Sequence, residues 1–127
     1  MNNKNKKIIL IVEDELPLLN VLQKKIELEG YQVLTARDGE EGLKTALSVK
    51  PDLILLDLIM PVMDGITMLQ KLREEAWGRT AEVIILTNLS GDKHVSTALK
   101  DMNCDFWVKS DLKIADIIKK LKEKLSN

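Results

Sequence analysis

Five short apolar runs punctuate the chain: Ile8 to Val12, Gln32 to Ala36, Leu53 to Leu56, Val83 to Leu86, and Phe106 to Val108. Each has the length of a β-strand. Between and after them, apolar residues recur at helical spacing. The clearest case is Ile114, Ile117, Ile118, Leu121 and Leu125, at i, i+3, i+4, i+7 and i+11. Leu18, Leu22 and Ile26 repeat the spacing, as do Val95, Ala98, Leu99 and Met102, and the positions between are mostly Lys, Glu, Gln or Asn. Such segments are solvent-facing helices with one buried stripe. Boundary residues agree: Pro17 in a first helical turn, Gly30 after a helix, Pro51-Asp52 before a strand, and Asp64 or Asp111 as helix N-caps. Strict alternation of strand and helix, five times over, predicts parallel strands joined by right-handed crossovers with helices on both faces. The predicted fold is a doubly wound (βα)₅ domain.

Length and composition add limits. A chain of 127 residues suits one domain, so residues 7–127 are expected to form it and the polar residues 1–6 to be a flexible leader. With 19 basic and 20 acidic residues, no global field draws this chain onto nucleic acid. Cys104 alone cannot staple the fold, and no apolar stretch is long enough to span a bilayer or serve as a signal peptide, so a cytoplasmic setting is expected. No internal repeat, or linker after Asp111, is visible, which leads to the expectation that any output module lies on another chain or was removed.

Open parallel sheets bind ligands beyond the carboxyl ends of their strands, where strand order reverses. That rule selects Glu13, Asp14 and Glu15 after the first run, Asp57 after the third, Thr87 after the fourth and Lys109 after the fifth. With strand order 2-1-3-4-5, the first and third strands are neighbours and Glu13, Asp14 and Asp57 crowd together. Their repulsion is relieved by a hard divalent cation, and an oxygen-only site with room for water suits Mg²⁺. Lys109 adds a movable positive charge. The set fits a phosphoryl group, whose equatorial oxygens metal and lysine can balance while one carboxylate attacks phosphorus. Taken singly, each residue has a plainer reading, since an Asp after an apolar strand is ordinarily a turn former or cap. Placement at four strand ends together is what a purely structural role does not explain. Neither GxGxxG nor GxxxxGK[ST] is present, which disfavours a nucleotide enzyme, and the single histidine, His94, falls mid-helix as a surface residue.

At this point the chain resembles response-regulator receiver domains of two-component signalling, over nearly its whole length and closest to the stand-alone chemotaxis-regulator type. The motifs that carry the resemblance are Ile8-Ile9-Leu10-Ile11-Val12-Glu13-Asp14-Glu15, Asp52 to Asp57 continuing through Leu58-Ile59-Met60-Pro61-Val62-Met63-Asp64-Gly65, Val83-Ile84-Ile85-Leu86-Thr87, and Phe106-Trp107-Val108-Lys109. The resemblance implies a flavodoxin-like five-stranded sheet and a phosphoprotein without turnover of an external substrate. It implies that Asp57 accepts phosphate from a sensor histidine kinase or histidine phosphotransfer protein, and that Glu13, Asp14, Asp57 and the Ile59 backbone carbonyl surround Mg²⁺. It implies further that Lys109 pairs with the phosphoryl oxygens, that the Thr87 hydroxyl moves to meet one of them, and that Phe106 follows inward. The face made by the fourth helix, fifth strand and fifth helix would then change for a downstream protein. The physical trigger is a local charge change of about −1.5 to −2. Monomer and weak dimer are both open.

The chain departs from the family in three places. Ser110 stands where receivers usually carry a proline joined by a cis bond. A cis bond to a non-proline costs about 2.5–4 kcal/mol, so a trans Lys109–Ser110 peptide is expected, with Ser110-Asp111 free to cap the last helix. Asn88 replaces the usual small residue after the threonine. Asn103 takes the place of a glycine-containing turn before the fifth strand, while Cys104 reads as structural. Trp77 is expected to anchor the loop after the third helix, and Trp107 to reach the output face. Two other functions compete: a receiver-like binding module independent of phosphorylation, and a phosphohydrolase with an aspartyl-phosphate intermediate. The latter would want an Asp where Ile59 stands.

Overall fold

All five apolar runs become strands of one parallel sheet in a computed structural model that describes residues 6–87, 100, 104–109 and 113–126. The strands are β1 (Ile8–Val12), β2 (Gln32–Ala36), β3 (Leu53–Leu56), β4 (Val83–Thr87) and β5 (Asp105–Val108), in the order β2-β1-β3-β4-β5. The helices are α1 (Leu16–Leu28), α2 (Gly39–Val49) and α3 (Gly65–Glu74), a 3₁₀ turn at Trp77–Arg79, and a C-terminal helix at Ile114–Leu125. The fourth helical stripe, Val95 to Met102, lies outside the described residues. So do Asn88, His94, Asn103, Ser110 and Asp111, and with them the Lys109–Ser110 peptide.

Alternation along each strand divides the core in two. Leu10, Val12, Ile54, Leu56, Val83 and Ile85 pack on one face with Ala46 of α2 and Met68, Leu69 and Leu72 of α3. Ile9, Ile11, Leu53, Leu55, Ile84 and Leu86 pack on the other with α1 and with Ile117 and Leu121 of the C-terminal helix. Both faces are apolar because both are covered, as right-handed crossovers require. Phe106 joins the first face and Trp107 the second. Lys120 Nζ stands 5.4 Å from the centroid of the Trp107 ring, so this tryptophan is tied to the C-terminal helix.

Two details differ from the sequence expectation. The inward stripe of α1 centres on Leu19, Leu22 and Ile26, while Leu18 is only half-buried at its margin. The last helix takes Lys113, not Asp111, at its N-cap: Asp116 in its first turn accepts from the Lys113 backbone N–H at 3.1 Å, which serves the helix start from within. Asp64 does cap α3, accepting from Thr67 N–H at 2.8 Å. Gly30 follows α1 with φ +97°, a conformation that favours glycine.

Trp77 rests against the first core from the 3₁₀ turn, where Arg73 Nη1 donates to the Gly78 and Ala81 carbonyls at 2.6 and 2.8 Å. A Cβ on Gly78 would sit 1.8 Å from the Leu72 carbonyl oxygen. Gly78→Ala therefore forces backbone apart from backbone and is expected to destabilise the fold by about 1–3 kcal/mol, read as a lower urea midpoint at unchanged slope. Cys104 is half-buried against the same core, and burial pushes its thiol up to about 11, keeping it protonated and inert at neutral pH.

Candidate functional site

Sheet register sets the site. Val12 of β1 is paired with both Ala36 and Leu56, so the next residues, Glu13 and Asp57, leave their strands level with one another. Their backbones stay pinned for one more step: Glu13 N–H donates to Ala36 O and Asp57 N–H to Val12 O, each at 3.0 Å. Thr87 closes β4 opposite Val108, and Lys109 follows Val108. Four strand ends thus deliver the residues that their position in the sequence had singled out.

One ligand oxygen from each of Glu13, Asp14 and Asp57 lies within 4.8 Å of the others. Glu13 and Asp57 are buried, Asp14 is half-buried and Thr87 is fully buried. Lys109 is the positive centre of the group. Its Nζ stands 2.7 Å from Glu13 Oε1, 3.4 Å from Asp57 Oδ2 and 3.4 Å from Glu15 Oε1. Burial, helped by the neighbouring Asp57 charge, lifts the Glu13 carboxyl to about 7, and Lys109 only partly opposes it. Burial works against the Lys109 charge, but its carboxylate neighbours outweigh it and hold the ammonium above its usual range. More negative charge faces this cluster than one ammonium balances. An oxygen-only trio of this kind fits a hard divalent cation, with Glu13, Asp14 and Asp57 as its side-chain ligands.

A pocket of about 180 Å³ opens over the cluster, lined by Asp14, Glu15, Asp57, Ile59, Thr87 and Lys109. Glu15 was visible in the acidic run after β1 but was given no role from sequence. It is a third carboxylate on Lys109, from a residue 94 positions away. The Leu58 backbone N–H was missed as well: it donates to Asp57 Oδ1 at 2.8 Å and orients that carboxylate. Phe106 lies on β5, half-buried in the first core and apart from the acidic cluster.

The loop that carries Asp57 is tightly tied. Gly65 N–H donates to Leu58 O at 2.9 Å, and a Cβ on Gly65 would lie 2.3 Å from Asp57 O. Met63 N–H reaches back to Pro61 O at 2.7 Å, closing a three-residue turn around Val62, whose φ is +68°. That turn is strained for a β-branched residue. Val62 is 75% exposed, so its side chain gains little from burial. Val62→Asn is expected to raise stability by about 1 kcal/mol, because asparagine tolerates the left-handed region; a urea midpoint that stays or falls would contradict this.

The sequence matches the response regulator receiver domain family over residues 9–122. The chain belongs to this receiver family. The solved CheY-like receiver domain from Methanospirillum hungatei JF-1 superposes with a TM-score of 0.87 at 28% identity, covering 96% of this chain and 95% of that one. The receiver domain of sensor histidine kinase PA1611 from Pseudomonas aeruginosa PAO1, solved with a magnesium ion coordinated in its active-site cleft, gives 0.79 at 25% identity over 96% and 99%. Among curated proteins, this receiver is 51% identical over 71 residues to the alkaline phosphatase synthesis transcriptional regulatory protein PhoP of Bacillus subtilis, covering 56% of this chain and 29% of that protein. It is 38% identical to the probable transcriptional regulator ycf27 of Cyanophora paradoxa over 83% of this chain and 43% of that one. The receiver thus spans less than half the length of these regulators. No helix among the described residues is long and apolar enough to cross a membrane.

Proposed function

We propose that this receiver takes a phosphoryl group onto Asp57 from a phosphohistidine of a histidine kinase or phosphotransfer protein. The observation that carries the reading is the Asp57 carboxylate itself: buried, oriented by Leu58 N–H, and facing Lys109 at 3.4 Å in a pocket open to solvent. In the transfer, a carboxylate oxygen of Asp57 forms the new P–O bond as the P–N bond breaks, and the leaving imidazole nitrogen takes a proton from water. Lys109 supplies charge to a phosphoryl oxygen, and Thr87, at the end of the neighbouring strand, supplies a hydroxyl. Glu13, Asp14, Asp57 and the Ile59 carbonyl would hold Mg²⁺, which when bound supplies a countercharge for the phosphoryl oxygens. No external substrate is turned over in this reading.

Thr87 and Phe106, on adjacent strands, are the switch pair in this proposal. Movement of the hydroxyl toward phosphate makes room for the aromatic ring, and the face of the fourth helix, β5 and the C-terminal helix changes for a protein partner. Residues 7–127 act as one unit in a cytoplasmic setting. The reading is tested by incubating the protein with a small phosphodonor and Mg²⁺ and weighing it intact. One adduct per chain supports it; none, with and without Mg²⁺, overturns it.

The metal part has its own test. Added Mg²⁺ is expected to raise the thermal midpoint progressively with the logarithm of its concentration, by about 2.7 kcal/mol of stability at a hundredfold excess over Kd. Asp14→Asn should remove most of that rise. An equal rise in the variant would place the cation elsewhere.

A further inference from the structure

Far from the acidic cluster, a groove of about 820 Å³ runs between the end of α1 and the C-terminal helix. Its walls include Leu28, Ile114, Ala115 and Ile118, and Leu28 is 72% exposed, the second most exposed large apolar residue of the described chain. α1 starts beside the acidic strand ends at Leu16, so Leu28 lies roughly 18 Å further along the helix axis, at the opposite end of the sheet from Asp57. A phosphoryl group on Asp57 would not touch it. The groove's apolar wall is narrow and rimmed by charge, on the scale of one face of a single helix and not of a broad interface.

Charge identifies the occupant. The C-terminal helix carries Lys119, Lys120, Lys122 and Lys124 against Asp116 and Glu123, on a chain whose formal net charge is −1, so the basic character is local. Glu29, on the α1 side, is already neutralised by Lys122 at 2.7 Å. Lys124 is paired with Asp105, and Lys120 is drawn to Trp107. Lys25 and Lys119 then outnumber Glu123 along the rim. Two copies paired through this rim would each bring an excess of lysine to the contact. A bilayer needs a protruding apolar face, whereas Ile114 and Ile118 lie half-buried between two helices. From Ile114 to Ser126 the groove follows the helix for roughly 18 Å, about three turns of a partner helix.

We propose that this groove is a docking site, separate from the Asp57 pocket, for an acidic amphipathic helix of a partner protein. Leucine-type side chains at i, i+3, i+4 and i+7 of the partner lie over Leu28 and Ile118, and its flanking carboxylates meet Lys25 and Lys119. Binding there does not require phosphorylation. The site tethers the receiver to its partner while Asp57 remains accessible, which raises the effective concentration of any second contact.

The test uses two synthetic peptides of about 14 residues, roughly 21 Å as helices, with the same leucine stripe and either Glu or Lys flanks. Binding to the unphosphorylated 127-residue chain is followed by ¹H–¹⁵N correlation spectra. The Glu peptide is expected to shift amides of Lys25 to Glu29 and Ile114 to Ser126, and to bind about tenfold more weakly to Leu28→Lys and to Lys119→Glu. The Lys peptide is expected to bind wild type poorly and to gain affinity for Lys119→Glu. Both variants alter exposed side chains, and circular dichroism with a urea midpoint establishes that they fold. Equal binding of the two peptides, shifts confined to other faces, preferential sedimentation with phosphatidylglycerol vesicles, or a dimer abolished by Leu28→Lys would each overturn the proposal.

Discussion

Asp57→Asn is expected to take up no phosphoryl group from a small phosphodonor, whereas the wild-type chain is expected to gain one, and only in the presence of Mg²⁺. The expected loss is complete because the substitution changes chemistry and little else. An asparagine oxygen can still accept the 2.8 Å bond from Leu58 N–H, and the side chain has nearly the same shape, so the loop keeps its place. The amide is a far poorer nucleophile toward phosphorus than the carboxylate, and the acidic cluster loses one of its three carboxylates. Intact mass spectrometry reads the result directly. An adduct that persists in the variant would move the acceptor to another carboxylate, and Asp14 would be examined first. Because the groove beside Leu28 lies at the other end of the sheet, Asp57→Asn should leave binding of the acidic peptide unchanged, which separates the two proposals.

Lys109→Met is expected to slow phosphoryl uptake by about 10²–10³-fold, the usual effect of deleting one preorganised charge at a developing oxyanion. Methionine keeps the unbranched stem and fills the space, so the change isolates the ammonium. Stability changes with it. Removing Nζ leaves Glu13 and Asp57 buried and facing each other, and breaking a buried ion pair on one side ordinarily costs about 3–5 kcal/mol. Glu13 softens that loss by taking a proton, since burial already lifts it from 4.5 to about 7. A carboxyl raised in the folded state binds more protons there than in the unfolded chain, so its contribution is present at low pH and lost as pH rises. Urea titrations in EDTA should show a deficit that grows as pH rises through about 7. A deficit that shrinks over that rise would mean that Lys109 does not hold Glu13 in the folded protein.

Much of this molecule is legible locally. Strand runs, the Pro17 start, the Asp64 cap and the stripe of the C-terminal helix are patterns over a few residues, and the chain order of strands and helices restricts the sheet to few topologies. The candidate site was legible for a related reason. A parallel sheet sends its strand ends to one edge, so the residues that follow four apolar runs must meet, and Glu13, Asp14, Asp57, Thr87 and Lys109 do.

What the sequence determined by itself is therefore the set of elements, their order and the edge at which chemistry collects, because each follows from short-range periodicity or from chirality. Tertiary structure alone decided which atoms touch. The reach of Lys109 to Glu15 spans 94 positions, the centring of α1 on Leu19 reflects how the helix rolls onto the sheet, and the loop of the Val62 turn is tied to α2 by Gly39 N–H donating to Met63 O. The groove between α1 and the C-terminal helix belongs to neither helix alone. Its depth is set by how two separately amphipathic surfaces fail to close over Leu28, and no pattern along the chain records a gap between two elements.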